Sequence, residues 1–193
     1  MGTVLLVAQG LFASVFIIRI FLGRPAPANA KAPRAQGTRT APRARTLLVL
    51  HAIGIAVVSL GISHTFVARH RTFNASLSVL VGLGCLVAAS VLAAWALRVF
   101  RSWRLLARLD AGHTLCVEGP YRYVRHPIYL AMDFWAVGSA LTCPGAATII
   151  GAVLVFVGSD LRARAEEELL TEVFGEEYRA YASRTRRLIP GIY

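Results

Sequence analysis

The sequence predicts an all-α integral membrane protein with about five transmembrane helices, the last two forming a short hairpin that leads into a cytoplasmic helical region. Of its 193 residues, 56% are hydrophobic and 16% are charged, whereas soluble domains carry about 25% charged residues. The net charge of +11 is also found in nucleic-acid-binding proteins, but arginines placed between long apolar runs indicate membrane topology. We therefore expect a bilayer as partner and no nucleic acid.

Three apolar runs are long enough to cross a membrane once each, since a spanning helix needs about 20 residues. They are Thr3–Leu22, Leu47–Val67 and Ala75–Leu97. The first is interpreted as a retained span rather than a signal peptide. It has no positively charged residue before it and exceeds the usual length of such a peptide's apolar core.

The fourth apolar region runs from Ile128 to Ser159 and is interrupted by Pro144-Gly145, a strong turn signal. Its length is too great for one crossing, so we predict two short helices, Ile128–Leu141 and Ala146–Ser159. At roughly 14 residues each they reach only about 21 Å. A further helix is predicted for 161–181, with a break at Gly175.

Basic residues predict how the chain is oriented. Segments 23–46, 98–127 and 161–193 each hold six Lys or Arg residues, whereas 68–75 holds two. With five spans, the positive-inside rule puts the N-terminus outside and the C-terminus in the cytoplasm. Segment 23–46, rich in Pro, Ala and Arg, is interpreted as a flexible linker between a first helix at 1–22 and a core at 47–193.

A polar cluster precedes the fourth apolar region, where Gly119–Tyr129 reads GPYRYVRHPIY. Polar groups at membrane depth are costly and tend to be functional. Pro120 and Pro127 discourage continuous helix, and Pro127 suits the first position of the next helix. That helix would direct its positive end at the site. An interfacial belt that only anchors the protein is the alternative interpretation.

A second cluster opens the tail, where 162–170 reads RARAEEELL. Arg162 and Glu166 are four residues apart and share a helix face, so they form either an ordinary helical ion pair or part of a site. In a site, the arginine would grip a carboxylate and the glutamate an ammonium group.

Together with 174–181 (FGEEYRAY) and 187–190 (RLIP), these motifs resemble the isoprenylcysteine carboxyl methyltransferase family, small integral-membrane enzymes related to the phospholipid N-methyltransferases. The resemblance covers about residues 112–193. It implies S-adenosyl-L-methionine as cofactor, a lipid or lipidated acceptor, and Arg162 as the catalytic residue on the acceptor side. The cofactor pocket it implies consists of His113, Thr114, Leu115, Cys116, Tyr121, His126, Pro127, Ile128, Tyr129 and Glu166.

Some positions depart from the family pattern and leave the acceptor open. Leu130-Ala131 follows Tyr129 where glycine is common, Leu106 replaces a polar cofactor contact, and Asp133 is an unexpected acid. A carboxylate acceptor needs no general base, whereas an amine needs an acid such as Asp133 or Glu167 nearby. A membrane reductase and a non-catalytic membrane protein remain alternatives. The three cysteines have no metal-ligand spacing, so no metal is expected.

Overall fold

The fold is described from a computed structural model, which covers residues 2–22, 39–41, 43–68, 76–100, 108–109, 114–189 and 191–192. The all-α prediction is confirmed. Five α-helices account for most of the described chain: α1 (Gly2–Leu22), α2 (Ala44–Ala68), α3 (Leu77–Val99), α4 (Pro127–Thr142) and α5 (Ala146–Arg184).

Four helices, α1, α2, α3 and α5, are long and apolar enough to cross a membrane, and the protein is an integral multi-pass membrane protein. At 16 residues, α4 is the short helix that the sequence predicts, with a length of about 24 Å. It begins at Pro127, as predicted, with His126 as the N-cap residue.

The second helix of the hairpin differs from the prediction. It does not end at Ser159 but continues without interruption into the predicted tail helix as far as Gly175, and the element ends at Arg184. The change from apolar to charged side chains at this point moves the helix out of the membrane without altering its backbone preference, because Arg, Ala and Glu are all good helix formers. The predicted break at Gly175 is confirmed: its φ of 52° is non-helical and suits glycine.

The segment interpreted as a linker is partly ordered in its described residues. Strand β1 (Arg39–Thr40) pairs antiparallel with β2 (Arg108–Leu109). Helix α2 starts at Ala44, earlier than the predicted Leu47, since Ala44 and Arg45 are good helix formers and extend its N-terminal end. Residues 23–38 and 42 lie outside the described part of the chain.

Helices α2 and α5 pack antiparallel, as do α3 and α4, and α4 lies between α3 and α5. Helix α1 packs on α3 and also reaches α4, where the Trp135 indole donates to Gln9 at 2.6 Å and stacks on Phe12 at 5.6 Å between ring centroids. These contacts bring the N-terminal end of α4 against the middle of α5, where the two polar clusters of the sequence meet.

Candidate functional site

The two polar clusters converge at the start of α4. The Tyr129 hydroxyl donates a hydrogen bond to the Glu166 carboxylate. The imidazole of His126 stacks on the Tyr129 ring, with centroids 5.6 Å apart and planes inclined by 20°. Its Nδ1 lies 3.5 Å from Glu166 Oε2 and its Nε2 lies 3.2 Å from Glu167 Oε1. A histidine, a tyrosine and two carboxylates therefore form one unit.

The charge of His126 follows from this arrangement. Burial alone lowers the pKa of an imidazole, but the hydrogen bonds and negative charges of Glu166 and Glu167 outweigh it and hold the pKa of His126 above its ordinary value of 6.5. The buried histidine is therefore poised to carry a positive charge between two carboxylates near neutral pH.

Glu167 is the most heavily bonded of the neighbouring glutamates. Its carboxylate accepts from Arg125 Nε at 2.8 Å and from Arg187 Nη2 at 2.8 Å, in addition to its contact with His126. The side chain is 14% exposed. One carboxylate thus holds three cationic groups from two segments of the chain, 125–126 and the residues after α5, which fixes the irregular segment before α4 onto α5.

The residues just after α5 bind the irregular segment through backbone hydrogen bonds. Arg125 and His126 donate their backbone N–H groups to the carbonyls of Arg186 at 2.7 Å and Arg187 at 3.1 Å. The Tyr181 hydroxyl donates to the Tyr121 carbonyl at 2.7 Å. These bonds satisfy backbone groups that the irregular segment leaves outside helices. They hold the motif at the end of the bundle where α4 begins.

Arg162 lies on the membrane side of this unit. It is buried, and its guanidinium carbon stands 5.0 Å from the centroid of the Tyr129 ring, within cation–π range. Its Nη1 donates to Nδ1 of His51 on α2 at 3.3 Å. Arg164, two residues further on, is more than half exposed and pairs with Asp160. The face of α5 that carries Arg162 and Glu166 therefore points to the site, and Arg164 points away.

A further polar pair lies one helical turn deeper. Asp133 follows Tyr129 by four residues on α4, and its Oδ1 accepts from the Ser159 hydroxyl at 2.8 Å. Both residues are buried, and Oδ2 of Asp133 has no hydrogen-bond partner among the described residues. The unexpected acid of the sequence thus faces α5, in line with Arg162.

The other residues of the predicted pocket surround this unit. Tyr121 is buried against Phe100, Pro127 and Ile128 are buried in the first turn of α4, and Cys116 packs on the same cluster of apolar residues. Thr114 and Leu115 are half-buried, Leu115 against a second cluster on α5. His113 and Leu106 lie outside the described residues.

Comparisons with known proteins agree with the resemblance recognised in the motifs. The phospholipid methyltransferase family model matches residues 77–177, more than half of the chain. The chain belongs to the phospholipid methyltransferase family. The matched range includes α3, the irregular segment, α4 and α5 as far as the residues around Gly175.

Named relatives of this family member include two isoprenylcysteine enzymes. Protein-S-isoprenylcysteine O-methyltransferase B of Arabidopsis thaliana is 34% identical over 84 residues, which are 43% of either chain. The corresponding enzyme of Saccharomyces cerevisiae is 34% identical over 87 residues, 43% of this chain and 35% of its own. Methanethiol S-methyltransferase 1 of Bradyrhizobium diazoefficiens is 39% identical over 72 residues, which are 36% of this chain and 24% of that enzyme. The chain therefore spans less than half the length of these relatives.

Two contributors were not identified from the sequence of this phospholipid methyltransferase family member. Glu167 was considered only as an acid for an amine acceptor, because three consecutive glutamates give no sign of which one faces inward. His51 was missed altogether. Its signal was a lone imidazole inside an apolar span, where ionisable side chains are rare and usually functional.

Proposed function

We propose that this protein transfers a methyl group from S-adenosyl-L-methionine to the carboxylate of a lipid-like acceptor at the cytoplasmic membrane face. The observation that carries the proposal is the convergence of Glu166, Tyr129 and Arg162. The Glu166 carboxylate binds the hydroxyl of Tyr129 and the Arg162 guanidinium lies over its ring, at the boundary between the charged and the apolar part of α5. The named relatives are methyltransferases that act on oxygen or sulfur.

The residues present fit the cofactor. Its ammonium and ribose hydroxyl groups are donors and match Glu166, whose side chain is 26% exposed and so remains within reach of a ligand. The backbone groups of Thr114–Val117 make no hydrogen bonds to the backbone of other described residues. They are therefore available to the edge of a heterocycle. The rings of His126 and Tyr129 provide flat faces for stacking.

When bound, S-adenosyl-L-methionine supplies an activated sulfonium methyl group. The protein then has to orient the acceptor for in-line attack and keep water out. Arg162 is suited to this task, because its planar fork binds both oxygens of a carboxylate and its burial strengthens that contact. An ionised carboxylate attacks without losing a proton, so no general base is required.

The acceptor would approach from the cytoplasmic leaflet. This follows from the proposed orientation, with the N-terminus outside and the C-terminus in the cytoplasm, which rests on the arginine asymmetry of the segments between helices. Reporter fusions at both ends test it. A cytoplasmic N-terminus together with a cytoplasmic C-terminus contradicts the five-span arrangement.

The test of the function compares two neighbouring arginines in purified protein in nanodiscs. Arg162→Ala should reduce methyl transfer to a panel of lipid carboxylates by about 100-fold while leaving the affinity for S-adenosyl-L-methionine unchanged, since a hydrogen bond to a charged group contributes up to about 3 kcal/mol. Arg164→Ala should retain wild-type turnover.

His126→Ala and Glu166→Ala should instead weaken cofactor binding in calorimetry. Folded variants with wild-type affinity refute the pocket.

An amine acceptor is the second candidate, and Asp133 is the observation that favours it. Its Oδ2 is buried without a partner in the described structure, at the membrane side of Arg162, where it is suited to receive a proton or hold an ammonium group. Asp133→Asn keeps the shape of the side chain and removes this capacity. Loss of activity in Asp133→Asn with full activity in Arg162→Ala would favour the amine, and the reverse favours the carboxylate.

A further inference from the structure

His51 is an ionisable side chain placed in the interior of a membrane helix. It lies in the cytoplasmic half of α2, is fully buried, and is outside the residues that the family model matches. A polar side chain at this depth costs free energy that an apolar side chain of similar size would not. Packing of α2 therefore does not explain an imidazole at this position.

The hydrogen bonding of the imidazole is determined by Arg162. A guanidinium has only donors, so Nδ1 of His51 accepts from Nη1 at 3.3 Å and the neutral ring carries its proton on Nε2. Nε2 has no partner in the described part of the chain. Arg162 is thus the one hydrogen-bond partner of His51 among those residues. Protonation would remove the acceptor and place a second positive charge beside the arginine.

The neighbouring helix leaves room for this contact. A Cβ atom added to Gly158 on α5 would lie 3.0 Å from Cα and 3.1 Å from Cβ of His51, which is too close for a relaxed contact. Gly158 is four residues before Arg162, so the same face of α5 that carries the arginine also accepts the backbone of α2. The close approach brings the imidazole under the guanidinium.

The guanidinium consequently has anchors from two helices. The Tyr129 ring of α4 lies 5.0 Å from its centre, and His51 of α2 accepts one of its N–H groups. A long arginine side chain loses rotamer freedom when it binds a ligand, and a side chain held beforehand loses less. A hydrogen bond to one N–H group and a ring against the guanidinium together restrict the orientation of the Arg162 side chain as well as its position.

We propose that His51 is a positioning residue: its Nδ1 holds Arg162 in the plane that receives the acceptor carboxylate. The inference rests on the proposed function of Arg162 as the acceptor-binding residue. It predicts that His51 acts on the acceptor and not on the cofactor. It also predicts that the acceptor atom at Nδ1, rather than the size of the ring, is what matters.

Three variants separate these properties. His51→Asn keeps an acceptor oxygen near the position of Nδ1, His51→Gln carries its polar atoms further out, and His51→Leu has none. In nanodiscs, His51→Leu and His51→Gln should lower kcat/KM for the lipid acceptor by about 10- to 100-fold. His51→Asn should recover most of it. The Kd for S-adenosyl-L-methionine should stay within about twofold of wild type in all three, where RT ln 2 is only about 0.4 kcal/mol.

The outcomes are distinct from those for the proposed function. Suppose that the wild-type protein methylates its acceptor. If His51→Leu is then equally active, or if His51→Asn is as defective as His51→Leu, His51 does not position Arg162, whereas Arg162 can still bind the acceptor. A measurement independent of turnover is ¹⁵N NMR of histidine-labelled protein. The His51 signal, assigned by its absence in His51→Asn, should show the Nε2–H tautomer, and Arg162→Ala should shift Nδ1. If the Nδ1 chemical shift of His51 is the same in Arg162→Ala as in wild type, the contact between His51 and Arg162 is refuted, even if no acceptor is methylated.

Discussion

The apolar half of α5 (146–159) and its charged half (160–184) are held to the rest of the protein by opposite means. In the membrane, α5 meets α2 through glycines, and a Cβ on Gly151 would lie 2.6 Å from the backbone nitrogen of Val58. On α3 and α4, Gly82 and Gly138 face each other in the same way. In its charged half, the same helix meets its neighbours through Glu167 and its three cationic partners.

The difference reflects the two solvents. Lipid tails are as apolar as leucine, so helices gain little by hiding apolar side chains from them, and close backbone contact over small residues provides the attraction. At the charged half of α5, an irregular segment with many polar groups has to be fixed, and buried charged pairs fix its geometry when every partner is satisfied. The stability of the apolar half is therefore sensitive to added side-chain volume, and that of the charged half to the removal of a charge.

The largest effect is expected from removing the central negative charge of the charged half of α5. Glu167→Gln leaves Arg125, His126 and Arg187 without their shared carboxylate and should lower the free energy of unfolding by about 3 kcal/mol or more, as when one partner of a buried pair is removed. Glu168→Gln, at the exposed next position, should stay within about 0.5 kcal/mol. Unfolding in mixed micelles measures both. Equal effects would mean that Glu167 does not organise this end.

Adding one methyl group tests the apolar half. Gly151→Ala pushes α5 away from the backbone of α2 and should cost about 1–3 kcal/mol. Gly84→Ala on α3 is the control, because a Cβ there has nothing within 4 Å. It should be neutral or stabilising by up to about 1 kcal/mol, since alanine is the better helix former. If both variants behave alike, close backbone approach does not determine the packing of α2 and α5.

The smallest expected effect is a pH dependence of the free energy of unfolding, which arises from His126 beside the charged half of α5. Because the pKa of His126 is raised above 6.5 in the folded protein, its stabilising contribution is fully present below about pH 6.5. It is lost as pH rises through the raised value. Wild-type protein should therefore lose stability relative to His126→Gln as pH rises above about 6.5. Parallel stability curves for the two proteins would show that His126 does not titrate as inferred.

The same contrast explains how much the sequence revealed. Apolar run lengths and Pro127 predict the membrane helices and the start of α4, because these signals are local. The continuity of α5 past Ser159 is not visible, since a change from apolar to charged residues alters the environment and not the helix propensity. The Arg162–His51 contact joins residues 111 positions apart, and the choice of Glu167 over Glu168 depends on helix rotation within the folded bundle. Neither leaves a local pattern.

The unbroken path of α5 between Ser159 and Glu167 restricts how this site can change in evolution. One continuous stretch of helix, with no loop inside it, carries four side chains of the site: Ser159, Arg162, Glu166 and Glu167. A single inserted residue would shift everything beyond it by about 1.5 Å and turn it by about 100°, which moves Glu166 off the face that carries Arg162. New acceptor preferences should therefore arise by exchange of side chains on a stretch of constant length. Insertions and deletions should be excluded from it in functional descendants.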